Sequence, residues 1–119
     1  MKRSIWVAGA SAFAAMLWVA TPADAVTISL TPSSQSRVYG QAATWGMAWG
    51  NSSPYTVTFK YGDETQWGPT AGVTYTSAGF SHKFYPCSLV TYGQTGTVVS
   101  AGQSATATAS TRVDGRGAC

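Results

Sequence analysis

The sequence predicts an all-β fold, an antiparallel β-sandwich of about seven strands behind an N-terminal signal segment. Large apolar side chains recur at every second position through much of residues 26–119, the period of a strand with one buried face. These runs are short and separated by clusters of Gly, Pro, Asn and Ser, the punctuation of sandwiches and barrels. No window after residue 25 shows the 3.6-residue period of an amphipathic helix.

Taken in order, Val26, Ile28 and Leu30 share one face of a first strand that stops at Thr31-Pro32-Ser33. In 44–49 the large residues Trp45, Met47 and Trp49 alternate with small ones, and in 55–61 Tyr55, Val57, Phe59 and Tyr61 alternate with Thr56, Thr58 and Lys60. Gly50-Asn51-Ser52-Ser53-Pro54 separates those two strands, and Gly62-Asp63-Glu64 ends the second. Further breaks are expected at Gly68-Pro69 and Ala78-Gly79, with a short strand around Val73 and Tyr75 and another through Phe80, His82 and Phe84. The stretch from Thr95 to Val113 is rich in Thr, Val, Ser and Ala with a turn signal at Ala101-Gly102-Gln103, and residues 89–113 are expected to form a hairpin turning near Gly102.

The first 25 residues are of a different kind. Lys2 and Arg3 are followed by an uncharged run from Ile5 to Ala20 and by Ala23-Asp24-Ala25, the three parts of a secretory signal. The run is short for a membrane span, which takes about 20 apolar residues. Cleavage is expected after Ala25, so that the membrane is met only during export; an uncleaved anchor is the alternative. Residues 26–119 then form a single domain, with one modest core and room for no second.

Within 26–119, five basic residues (Arg37, Lys60, Lys83, Arg112, Arg116) stand against three acidic ones (Asp63, Glu64, Asp114), scattered along the sequence. No basic run neutralises a phosphate backbone, so nucleic acid is not an expected partner. Cys87 and Cys119, in an exported chain, are expected to form one disulfide. They lie on either side of the expected hairpin, near its open base, and a bond closing that loop is worth about 3–4 kcal/mol in the chain-entropy account. Cys119 pairing with a second chain is the alternative. Two thiols and one histidine at this spacing do not make a zinc site, and no cofactor is expected.

Phe59-Lys60-Tyr61-Gly62-Asp63-Glu64-Thr65, then His82-Lys83-Phe84, then Gly102 to Val113 with its Ala-Thr-Ala-Thr run, follow one another in an order that resembles the PKD domain. That family has an apolar strand ending in a W-x-F-G-D-G-like turn, a His-x-Tyr segment and two long Thr/Val strands. The resemblance covers about sixty residues, from Tyr55 to Val113. It departs at Glu64, where the family has Gly, at Phe84, where it has Tyr, and in 88–97, where the usual G-x-Y-x-V is not clear. It implies an immunoglobulin-like sandwich with a role in extracellular protein or carbohydrate contact.

Few residues offer chemistry. His82 with Asp63 and a serine would be the only route to a catalytic triad, and nothing like a nucleophile elbow is present. The expected reading is non-catalytic, with His82 hydrogen-bonded near the sandwich edge. Asp63 after Gly62 is expected to fix its own turn. Calcium held by Asp63 and Glu64 is the alternative, though two carboxylates fall short of its six to eight oxygens.

The aromatics are the better lead. Trp67, beside Gly68-Pro69, is expected in a loop, either exposed for sugar stacking or folded over the core, and Tyr39, Tyr85 and Tyr92 are candidates for the same face. The expected partner is an extracellular protein or polysaccharide met by a monomer. The alternatives are a small carbohydrate-binding module using Trp67, or a hydrolase inhibitor presenting a loop at 65–72. Asn51-Ser52-Ser53 matches a glycosylation acceptor and reads as a turn.

Overall fold

A computed structural model describes residues 26–51 and 53–119. The expected signal segment and its cleavage point at Ala25 lie outside those residues. Among the described residues eight strands form two sheets packed as a sandwich: β1 (Thr27–Thr31), β2 (Ser34–Val38), β3 (Ala42–Gly50), β4 (Tyr55–Lys60), β5 (Gln66–Val73), β6 (Ser77–Lys83), β7 (Leu89–Ser100) and β8 (Gln103–Asp114). One sheet has the order β1-β3-β6 and the other β2-β8-β7-β4-β5. The architecture is compatible with an immunoglobulin-like sandwich.

Alternation builds the core. Trp45, Met47 and Trp49 of β3 point inward, against Tyr55, Val57 and Phe59 of β4 and Val98, Ala109 and Val113 of the β7–β8 hairpin. That hairpin runs in unbroken register from Leu89↔Asp114 to Ser100↔Gln103. Ala101 (φ 52°) and Gly102 (φ 77°) close it, both left-handed as a two-residue turn between twisted strands requires. At its open base the Cys87–Cys119 disulfide, with Cα atoms 5.4 Å apart, ties the chain end to the entrance of β7. Gly115 packs there so closely that a Cβ would lie 1.9 Å from the Pro86 carbonyl oxygen.

Three expectations about the elements are corrected. The Gly68-Pro69 break lies inside β5, and Tyr75 belongs to the connection after it. Proline is tolerated there because β5 is an edge strand whose pairing with β4 shifts register between Tyr55 and Val57 and between Val57 and Phe59. Ala78-Gly79 is likewise the middle of β6, not a turn. The eighth strand, β2, has no apolar alternation at all, and it pairs with β8 in parallel, Ser34↔Ser110 through Val38↔Asp114, in an otherwise antiparallel sandwich.

β2 exists because the chain changes sheets at Thr31-Pro32-Ser33. β1 pairs with β3 only from Gly46 to Gly50, which leaves Ala42 and Thr44 without a strand on that side. Side chains from β2 take its place. Gln35 Nε2 donates to the Thr44 carbonyl (3.0 Å) while Gln35 Oε1 faces the Thr44 N–H (3.4 Å), and Arg37 Nε donates to the Ala42 carbonyl (3.0 Å). A primary amide offers the same donor–acceptor pair as a peptide unit, so Gln35 substitutes for the missing strand.

Candidate functional site

Successive inward positions along β6 and its extension form rungs between the sheets. Phe80 stacks on Phe59 (centroids 4.4 Å apart), His82 on Tyr61 (4.3 Å) and Phe84 on Tyr92 (4.3 Å). Strand parity alone places residues 80, 82 and 84 on one side, and rings at those positions meet rings from the opposite sheet. His82 is therefore first an aromatic rung.

Its second role is a clasp. His82 Nε2 lies 2.7 Å from Asp63 Oδ2, joining β6 to the β4–β5 turn across the seam between the sheets. Asp63 Oδ1 accepts from the Thr65 N–H (3.2 Å) and from the Thr65 hydroxyl, so this carboxylate fixes its own turn as expected. Burial acts to raise the Asp63 pKa. Hydrogen bonds from the Thr65 and His82 side chains, the His82 charge and the Thr65 N–H outweigh it, and the carboxyl titrates below its ordinary value. Gly62 makes the turn possible: its φ is 97°, and a Cβ would lie 2.4 Å from the Gly93 carbonyl oxygen. Glu64, where the PKD-like pattern has glycine, is held left-handed at φ 71°.

The clasp does not have triad geometry. A triad places the carboxylate on one imidazole nitrogen and the nucleophile on the other. Here Asp63 and the Thr65 hydroxyl (3.4 Å) both approach Nε2. Among the described residues, no three of His, Cys, Asp and Glu gather as a metal site.

The four candidate aromatics separate into two groups. Tyr92 and Trp67 face the interior. Tyr92 is a rung, its hydroxyl pKa raised by burial and by the Asp63 charge. Trp67 stands on β5, not in a loop, half-buried with its ring 5.4 Å from Phe80. It folds onto the core, and the stretch 65–72 is mostly edge strand. Tyr39 and Tyr85 are the exposed pair, 43% and 60% accessible, with rings edge to face at 5.3 Å.

Backbone bonds position that pair. Tyr39 N–H donates to the Asp114 carbonyl (3.1 Å), Gly40 N–H to Phe84 (2.9 Å) and Gly115 N–H to Ser88 (2.9 Å). Tyr39 rides the β2–β3 turn, where Gly40 is left-handed (φ 73°), and Tyr85 follows the end of β6 in the parity of its exposed residues Ser81 and Lys83. The two are 46 positions apart in sequence, and no periodicity links them. The basic neighbours of the pair, Arg37 and Lys83, escape a sequence reading for the same reason.

Fold and site together define a disulfide-closed β-sandwich with an exposed tyrosine pair at one end. Comparison with protein-family models, with curated proteins and with solved structures finds no match.

Proposed function

We propose that this chain is a secreted, non-catalytic, monomeric module, immunoglobulin-like and PKD-like in pattern, that makes extracellular carbohydrate or protein contacts through Tyr39 and Tyr85. The observation that carries the reading is the exposure of two adjacent rings where the other large aromatics among the described residues, Tyr75 apart, are turned into the core. Tyrosine supplies a large contact area at little cost in side-chain entropy, and it anchors both sugar rings and protein pockets. The disulfide fits an oxidising compartment, and with the signal-like N-terminus it supports export.

The test is retention on a panel of soluble and insoluble polysaccharides. The Tyr39→Ala/Tyr85→Ala double variant is expected to elute early and Trp67→Ala to behave as wild type wherever the protein stays folded. Retention abolished by Trp67→Ala and kept by the tyrosine variant would return the site to β5.

A further inference from the structure

Resting on the tyrosine-pair reading, we infer that the partner is an anionic polysaccharide, with one carboxylate per sugar, gripped at Tyr39 and Tyr85 by the flanking cations Lys83 and Arg37. The basic residues look scattered along the sequence, yet topology brings two of them to this spot. Ala42 lies directly opposite Lys83 in the β3–β6 pairing, and its carbonyl accepts from Arg37 Nε. Both cations thus flank the turn that carries Tyr39. Lys83 is exposed and stands two residues before Tyr85 with the same parity.

Lys83 is exposed, and Arg37 is half-buried, giving Nε to the Ala42 carbonyl and Nη1 to the Ser36 carbonyl, so that it acts through its charge; neither has an ion-pair partner among the described residues. The ion pairs among the described residues are His82–Asp63 and Arg116–Asp114. Asp114, the acid beside the Tyr39 backbone, is already matched by Arg116, whose guanidinium meets both carboxylate oxygens at 3.0 and 2.8 Å. The end of the molecule that displays the rings therefore displays uncompensated positive charge, and a negatively charged ligand is its electrostatic complement.

Beyond Lys83 the same outer face of β1-β3-β6 carries an open depression of ≈ 580 Å³, lined by Ser29, Thr31, Gly46, Ala48, Ser77 and Gly79, with no charged side chain. A chain held at the tyrosines and continued along this face meets the hydroxyls of Ser29, Thr31 and Ser77. Two isolated cations match a polymer of one charge per sugar better than the dense charge of a nucleic acid, which calls for a basic stripe.

The experiment measures binding of the mature protein to polygalacturonate, dextran and single-stranded DNA at low and moderate salt. Expected is binding to polygalacturonate that weakens with salt, falls about tenfold in Tyr85→Ala and falls several-fold in Lys83→Gln. Lys60→Gln, away from the pair on β4, is expected to leave it unchanged, with all variants keeping the wild-type melting temperature. Salt-insensitive binding to dextran and polygalacturonate alike, lost in Tyr85→Ala, would overturn the charge inference and leave the tyrosine site standing. Binding to polygalacturonate untouched by Tyr85→Ala overturns both. DNA bound as tightly as polygalacturonate overturns the glycan in favour of a general polyanion, and no binding to any of the three overturns the inference.

Discussion

The sandwich has two seams, closed in different ways. At the β2 seam side chains without a carboxylate reach backbone: the Gln35 amide and the Arg37 guanidinium satisfy β3 where β1 has left it. At the β6 seam side chains meet side chains, as three stacked ring pairs and the Asp63–His82 clasp. Both seams solve one problem, the end of strand pairing at a sheet edge. The first is expected to be indifferent to pH over the carboxylate range, and the second to fail in acid. The seam built on backbone is polar throughout, whereas the one built on packing is largely aromatic.

The largest expected effect is at the β6 seam. Gly62→Ala forces a Cβ against the Gly93 carbonyl in a backbone conformation that alanine resists. It should lower unfolding stability in urea by about 2–4 kcal/mol, and wild-type stability would show that the turn can re-form without glycine. His82→Ala, which removes the middle rung and the clasp together, is expected to cost about 1–3 kcal/mol. His82→Phe separates the two, keeping the rung and losing the ion pair.

At the β2 seam, Gln35→Ala should cost about 0.5–1.5 kcal/mol, because water can reach the freed Thr44 groups. Gln35→Glu, lacking the amide donor, should be no better than alanine, and a glutamate variant as stable as wild type would mean the amide is not replacing a strand.

A pH titration of stability tests the contrast directly. The Asp63 carboxyl titrates below its ordinary value of 3.8 in the fold, so its contribution is complete above that value and lost as pH falls through the depressed one. Urea midpoints measured downward from pH 5 should fall in the wild type, less steeply in Asp63→Asn, and equally in wild type and Gln35→Ala. Asp114 is lowered to about 2, chiefly by the Arg116 side-chain hydrogen bonds. It is solvent-exposed, and its pair joins the last residue of β8 to one two positions on, so Arg116→Gln is expected to leave the midpoint at pH 7 unchanged.

What could be read in the sequence follows the same division. β3, β4 and the β7–β8 hairpin were legible because one face of each is buried and alternation records it. The Cys87–Cys119 link was legible because two cysteines in an exported chain most simply pair, and the hairpin turn brings both to one end. β2 left no such record, since its inward positions Gln35 and Arg37 serve backbone and not the core. β5 was hidden by Gly68-Pro69, which reads as a break and forms an edge-strand irregularity. Asp63 and His82 were each legible as structural residues, one fixing a turn and one at the edge. Their pairing was not, because only the stacking of the two sheets brings them together. Tyr39 and Tyr85 were named among four aromatics, and burial alone separates them from Trp67 and Tyr92.

The long hairpin also bears on the order in which the chain matures. Its pairs form around a two-residue turn, a local search, whereas β2 must find β8 across 76 positions of sequence. Zipping β7 onto β8 carries Cys87 and Cys119 together with no help from the first six strands. Thiol oxidation can thus run ahead of sandwich assembly, and β2, whose pairing closes the longest stretch of chain, is expected to dock late, onto an edge already cross-linked at its base.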